Sequence, residues 1–353
     1  MPALLSIAKG LGILITATAA VFSASSFNTV SSAKPSATSS QNTFQTPLKI
    51  SCIHFSPDSK QLANIAGDRI LSVWPVSGGD PTAITSFQSL PMTCIEWNLQ
   101  GDSLFVGTNK QQILLCDPST LDIQFRIPSD IELVNQVNFN RTNESLLSLG
   151  NSGMAQQGQG KFQCAIPQVW KNGISQNLAN LQTLSYTNLC IHPENGTTAF
   201  ATTTGEIVLL DLDSNQPSRI LTILAGAVEG LKWSGTNLIA STDVCLFKID
   251  ASTGEVLSNI RFSNKPIRRI EVSSDNKLLF VAGGNETVEV FDCTTFKLIC
   301  KLTSFREMVS CISLSPDGKT LAVGTCQGNI TLWNTSDFQI KSVLPAGFLT
   351  VTP

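Results

Sequence analysis

The side chains that could perform acid–base or nucleophilic chemistry are few in this 353-residue chain. It has only two histidines, His54 and His192, and they fall in separate segments. No GxSxG nucleophile elbow, glycine-rich phosphate loop or HExxH zinc motif occurs. Because groups for proton transfer or covalent catalysis are not gathered in any motif, we expect no enzymatic activity and no cofactor.

Ten cysteines raise the question of disulfides or a metal site. Three of them, Cys52, Cys94 and Cys311, occupy the same position of a repeated segment described below. We do not predict a metal site from these three, because a nearby fourth ligand and any CxxC spacing are missing. We expect buried free thiols that pack as small hydrophobic side chains. Such thiols fit poorly with secretion, since an oxidising compartment favours disulfides.

The charge pattern argues against a nucleic-acid partner. Charged residues make up only 14% of the chain, and its formal net charge is -3. Lysine and arginine are scattered along the sequence instead of forming the basic stripe that a polyanion requires. Long stretches of apolar residues at helical spacing are missing after residue 48, while short apolar runs alternate with turn residues. This pattern predicts an all-β protein.

One short segment recurs seven times, with a period of about 40 residues. Each copy is marked by an aromatic or aliphatic anchor residue, and the anchors are Phe55, Trp97, Phe139, Ile191, Trp233, Val272 and Leu314. A period of this length, with four short strand-like runs per copy, is typical of one blade of a β-propeller. The repeat therefore predicts a seven-bladed β-propeller of four-stranded antiparallel blades.

The copies share the side-chain pattern that a strand buried on one face requires. Two residues before the anchor every copy is apolar, with Ile53, Ile95, Val137, Leu189, Leu231, Ile270 and Ile312. Five residues before it every copy is again apolar, with Ile50, Met92, Val134, Tyr186, Val228, Ile267 and Val309. Four residues before it every copy is polar, with Ser51, Thr93, Asn135, Thr187, Glu229, Arg268 and Ser310. We expect the polar set at the central opening or rim of the ring.

A later strand recurs in the repeat and ends in a short side chain with an oxygen that can accept hydrogen bonds. We expect this oxygen to cap the following turn, and the residues are Asp117, Asp211, Asp250, Asp292 and Asn334.

In the third copy this later strand, which is marked by Trp170, starts further along the chain because an insert precedes it. The insert is GMAQQGQGKFQC or close to it, and it lies between two strands. Long inserts of this kind are usually functional or disordered. The insert is therefore the first candidate contact site.

Two segments carry a resemblance to a known family, SPDGKTLAVGTCQGNITLWN from Ser315 to Asn334 and SPDSKQLANIAGDRILSVW from Ser56 to Trp74. They resemble the tryptophan-aspartate (WD) repeat, and the resemblance extends over residues 49–344 with degenerate middle copies. The family's buried His-Asp-Ser/Thr-Trp hydrogen-bond network is expected to be absent here, because this chain has no Trp-Asp pair. The repeats give seven complete blades, without the strand that the family usually shares between its first and last blades to close the ring. Residues 348–351 or 43–48 are therefore candidates for an added strand.

The resemblance implies a non-enzymatic scaffold that presents loop faces to other proteins or peptides, as a monomeric propeller within a complex. It places the glutamines of the insert near Asn135. The second candidate site is a basic patch of Lys265, Arg268 and Arg306, which is suited to bind a carboxylate or a phosphate. The candidate partner-binding residues are Asn135, Gln156, Gln157, Gln159, Lys265, Arg268 and Arg306.

Two alternative functions remain open from the sequence. One is a secreted, lactonase-like or other metal-dependent hydrolytic propeller, in which Glu229, Asn135 and Asn188 would face the opening and hold a divalent cation. The other is a membrane-tethered scaffold. The sequence gives the hydrolase only one carboxylate at the opening, which predicts weak coordination.

The segment at residues 1–48 differs from the repeats, since it has no Asp or Glu and contains an apolar run from Leu11 to Phe22 behind Lys9. It fits a signal peptide, and a short membrane anchor that associates through residues 3–27 is an alternative. An organelle transit peptide, a disordered tail or an extra strand pair are further interpretations, so localisation stays open. The expected organisation is this targeting or anchoring segment with a Ser/Thr-rich linker, a propeller at residues 49–344 and a tail at 345–353.

Overall fold

The computed structural model describes residues 47–152, 164–171, 174–177, 185–210, 219–262, 266–283, 286–303 and 305–348. These ranges form seven four-stranded antiparallel sheets, each built from four strands in chain order. The predicted all-β, seven-bladed propeller is therefore confirmed. The described residues contain one short 3-10 turn, Ala346–Phe348, and no helix there is long and apolar enough to cross a membrane.

Blades one to four comprise β1 to β4 (Ile50–Phe55, Gln61–Ala66, Ile70–Pro75, Ala83–Ser86), β5 to β8 (Met92–Trp97, Leu104–Thr108, Gln112–Cys116, Ile123–Pro128), β9 to β12 (Leu133–Asn140, Ser145–Ser152, Cys164–Lys171, Ile174–Asn177) and β13 to β16 (Tyr186–Ile191, Thr198–Thr202, Glu206–Leu210, Arg219–Ile223). Blades five to seven comprise β17 to β20 (Gly230–Ser234, Asn237–Ser241, Cys245–Asp250, Val256–Arg261), β21 to β24 (Ile267–Val272, Leu278–Gly283, Val288–Asp292, Leu298–Leu302) and β25 to β28 (Val309–Leu314, Thr320–Thr325, Ile330–Asn334, Ile340–Leu344).

The first strand of each blade is the inner strand, because first strands of successive blades contact one another around the ring and β25 contacts β1. The anchor of each sequence repeat lies on or at the end of this strand. All residues two or five positions before an anchor are at most 5% exposed. This burial confirms the packing predicted from the apolar pattern. Burying a single residue at these positions removes on the order of 100 Å² of apolar surface from water, which stabilises the contact between blades.

Blades one and seven close the ring without a shared strand in the described residues, since each blade uses four strands of its own. An apolar cluster crosses the seam between them and includes Ile50, Ile53, Cys311 and Leu344. Just outside it, the Leu48 amide donates to the Gly347 carbonyl at 2.9 Å. Of the residues expected to add a strand, 349–351 and 43–46 lie outside the described ranges. The other three form no strand, since Phe348 lies in a 3-10 turn and Pro47 and Leu48 precede β1.

Blade one contains a buried polar network that the sequence pattern did not predict. The indole nitrogen of Trp74 donates to Asn64 Oδ1 at 2.9 Å, and the Ser72 hydroxyl donates to the same oxygen at 2.8 Å. In blade seven the matching Trp333 Nε1 has no hydrogen-bond partner within the described ranges. This network contains neither histidine nor aspartate, so it differs from the family's His-Asp-Ser/Thr-Trp network, and asparagine supplies its acceptor.

The turn-capping prediction is confirmed at four positions. Oδ1 of Asp117, Asp250, Asp292 and Asn334 accepts backbone amides two residues further on, at 2.8 to 3.1 Å. These bonds and the neighbouring hydroxyls hold the pKa of Asp117, Asp250 and Asp292 below the usual range. The fifth predicted cap, Asp211, lies outside the described residues.

Candidate functional site

Six of the seven polar residues four positions before the anchors form two groups, and the seventh, Ser51, is half-buried. In the first group a hydroxyl donates to a backbone carbonyl of the next blade: Thr93 to Val134, Thr187 to Val228, and Ser310 to Ile50. These side chains link neighbouring inner strands, which corrects the expectation that the whole register serves the opening. The second group is exposed and comprises Asn135, Glu229 and Arg268.

A depression of about 450 Å³ lies where the inner strands of blades five, six, seven and one begin. We call it the charged depression, and its charged lining residues are Lys49, Glu229, Asp243, Arg268 and Arg269. The remaining lining includes Ser51, Pro266, Ile267, Met308, Val309, Ser310 and Cys326. Because the walls are inner strands of a closed ring, the backbone that carries these side chains is held in place by the core.

Within the described part of the chain, the charges in this depression have no ion-pair partners. Across the described residues, no ion pair within 4.0 Å includes any of the five charged lining side chains. Elsewhere the protein does pair its lysines, as in Lys301 with Glu289 at 2.7 Å. The depression therefore offers three cationic and two anionic groups to an approaching ligand.

The two arginines of blade six differ in their hydrogen bonding. Arg269 Nη1 donates to the carbonyl of Arg268 at 2.9 Å, so it stays close to its own strand. Burial raises the pKa of the Cys52 and Cys311 thiols, while the Arg269 charge acts in the opposite direction on both. Arg269 thus spreads positive potential towards blades seven and one, while no hydrogen bond within the described ranges occupies the Arg268 guanidinium.

The sequence-predicted site residues are only partly brought together. Arg268 lines the charged depression, whereas Arg306 and Asn135 are exposed outside its lining. Lys265 and the three glutamines of the insert lie outside the described residues. The insert itself joins β10 to β11, the second and third strands of blade three. Its ends therefore lie on the same face of the ring as the depression.

Three charged lining residues are missing from the prediction: Lys49, Asp243 and Arg269. Lys49 precedes β1, and Asp243 lies in the turn between β18 and β19. Neither position has a repeat signature. Arg269 does have one, because it stands three residues before an anchor, where copies one, two and seven have cysteine. A charge in a register of small residues is the signal that could have identified it.

A second polar group lies one position before each anchor, inside the ring, and comprises His54, Glu96, Asn138, Cys190, Lys232, Glu271 and Ser313. We call it the channel ring. His54 Nε2 lies 3.6 Å from Glu96 Oε2, and Lys232 Nζ lies 2.9 Å from Glu271 Oε2. The Lys232 charge also acts on the pKa of His54 and of Glu96 across the ring. These residues from blades one, two, five and six therefore share one interior space.

Burial controls protonation in the channel ring. It lowers the pKa of His54 to about 4 and raises the pKa of Glu96 to about 8. Both side chains are therefore neutral near pH 7, although the His54 side chain keeps 38% exposure. That exposure faces the enclosed channel, where surrounding blades limit solvation. Within the described ranges, no three His, Cys, Asp or Glu side chains are grouped so that they could hold a metal ion.

Comparison with known proteins identifies the repeat. Residues 38–75 and 296–334 match the family model described as WD domain, G-beta repeat. The chain is 36% identical over 90 residues to the guanine nucleotide-binding protein subunit beta of Schizosaccharomyces pombe, covering 26% of this chain and 29% of that protein. It is 27% identical over 138 residues to apoptotic protease-activating factor 1 of Danio rerio, covering 38% and 11%. The match thus spans less than a third of either relative.

The two family matches fall on opposite sides of the seam. The first includes β1, β2 and β3 of blade one, and the second includes β24 of blade six and β25 to β27 of blade seven. Sheet topology and the repeated inner-strand register extend the same unit to the five blades between them. Two segments of this chain therefore match the WD repeat, and both lie in one ring of seven four-stranded blades.

Proposed function

We propose that this protein is a non-enzymatic scaffold that binds another protein or a peptide on the face that carries the charged depression. One observation carries the proposal: five charged side chains, without ion-pair partners among the residues that the structure describes, surround a depression in a closed ring. Charged groups in a concave site usually bind a charged ligand. The WD-repeat fold supports this, because such rings present broad loop faces.

The hydrolase alternative has no comparable support. A divalent cation at the opening would need carboxylate and amide oxygens directed at one point. The amide of Asn188 instead donates to the Glu229 carbonyl at 3.5 Å. The carboxylate of Glu229 shares the depression with two arginines and a lysine, and these cationic groups would repel a metal ion. We therefore propose the scaffold alone.

Site-specific photo-crosslinking tests the scaffold function. Two apolar side chains of blade seven, Met308 at the depression and Ile340 on the outer strand β28, are each 44% exposed. A photo-crosslinking amino acid at Met308 should yield a defined covalent product with one cellular protein, identified by mass spectrometry and confirmed with the purified protein. The same group at Ile340 is the matched control. Products from Ile340 alone, or from neither position, would overturn the proposal.

A further inference from the structure

We infer that the charged depression binds an extended segment of a partner protein in which an acidic side chain adjoins a basic one. The acidic side chain meets Arg268, Arg269 and Lys49, and the basic one meets Glu229 and Asp243. This inference rests on the proposed scaffold function and specifies its ligand.

The first argument is the separation of charge within the depression. All cationic lining groups belong to blade six or to the segment entering blade one, whereas both anionic groups belong to blade five. A ligand spanning the depression therefore meets positive potential on one side and negative potential on the other. A polyanion such as nucleic acid, or a free phosphate, would gain from the arginines but be repelled by two carboxylates. An adjacent acid–base pair gains from both sides.

The second argument comes from comparing two registers of the same pair of inner strands. One position before the anchors, Lys232 of blade five and Glu271 of blade six form an ion pair at 2.9 Å. Four positions before the anchors, Glu229 of blade five and Arg268 of blade six carry the reverse charges at equivalent positions. Glu229 and Arg268 form no ion pair within 4.0 Å, and the depression lies between them. On this face the two complementary charges are therefore left available to a ligand.

The third argument is the size and lining of the space. A cavity of about 450 Å³ lies within the range of about 300 to 1,000 Å³ typical of ligand sites. Met308, 44% exposed, and the exposed Pro266 add apolar surface at its edge. An arginine can bind a carboxylate through two parallel hydrogen bonds, which fixes the orientation of the acidic side chain. The adjoining basic side chain then points to blade five.

A selection experiment with a charge swap tests this inference on the full-length protein. The probe is a phage-displayed library of random peptides, and each selected peptide is then synthesised for fluorescence anisotropy. We expect wild type to select adjacent acidic and basic residues. Arg268→Gln should weaken binding about tenfold, as expected for one lost charge-assisted contact. Because Arg268 is exposed, unchanged circular dichroism and thermal unfolding should accompany that loss.

The double variant with Glu229→Arg and Arg268→Glu distinguishes recognition from loss of folding. It exchanges these two charges and leaves Lys49, Arg269 and Asp243 in place, so it should still select peptides but no longer prefer the wild-type acid–base order, which a misfolded protein cannot do. Arg126→Glu, an exposed arginine on the outer strand β8, is the matched control and should select the wild-type order. Selected peptides without the pair, or the same order with the swapped variant, would overturn the inference. If crosslinking at Met308 still captures a partner, the scaffold function stands without it.

Discussion

Replacing Glu96 by glutamine should abolish a loss of stability that the wild-type protein undergoes as pH rises. Glu96 is 8% exposed in the channel ring, and burial raises its pKa to about 8 from the model-peptide value of 4.5. The folded protein therefore holds this proton more tightly than the unfolded chain does. Its contribution to stability is complete below pH 4.5 and is lost as pH rises through about 8. Glutamine keeps the size and neutrality of the protonated acid at every pH.

The size of the effect follows from the two pKa values. Each tenfold difference in proton affinity corresponds to about 1.4 kcal/mol, so a change from 4.5 to about 8 corresponds to about 5 kcal/mol. Channel water that solvates the ionised carboxylate reduces this figure, since 11% of the side chain is exposed. We expect the variant to gain about 2 to 4 kcal/mol relative to wild type between about pH 5 and pH 8.5.

The measurement is the free energy of urea unfolding, followed by tryptophan fluorescence in reducing buffer at several pH values. Buried thiols such as Cys94, whose pKa burial raises to about 12, also favour unfolding in alkali. That contribution cancels in the difference between wild type and variant. Glu132→Gln, at an exposed position, is the control and should follow wild type. Parallel curves for wild type and Glu96→Gln would refute the argument that burial keeps Glu96 protonated.

Three further substitutions test the packing of the ring by urea unfolding. Ser310→Ala removes the hydroxyl that donates to the Ile50 carbonyl at 2.6 Å across the seam, and should cost about 1 kcal/mol. Trp74→Phe removes the indole donor of the blade-one network and should cost about 1 to 2 kcal/mol, while the near-ultraviolet spectrum keeps its other tryptophan signals. Gly254→Ala should cost more than about 2 kcal/mol, since Gly254 has φ +84° and its added Cβ would lie 2.1 Å from the Leu221 carbonyl oxygen.

The fold could be predicted from the sequence because an inner strand repeats the same physical requirement in every blade. Ile53 and Ile312 stand in one register of different blades, and each packs between neighbouring sheets. A polar residue there would lose its hydration without gaining a partner. The apolar pattern of the inner strand is therefore visible in the sequence even in copies that lack the family's tryptophan, histidine and aspartate residues.

The site could be predicted only where it coincides with the repeat. Glu229 and Arg268 share a polar register, so the sequence indicated both. Lys49 and Asp243 reach the depression from a leading segment and a turn, and only the closed ring shows that they lie near it. The sequence also could not separate Thr93 from Asn135 in that register. A hydroxyl side chain in this register can donate to a backbone carbonyl of the next blade. The spacing between the two inner strands decides whether the hydroxyl reaches that carbonyl.

The position of the charged depression connects ligand binding to ring closure. Its lining includes Lys49 and Ser51 from blade one and Met308 and Ser310 from blade seven, on opposite sides of the seam. These blades share no strand in the described residues, so side-chain packing and a few hydrogen bonds hold them together. A segment that contacts both blades binds the closed ring more strongly than an open one. By linkage it must stabilise closure by the same free energy.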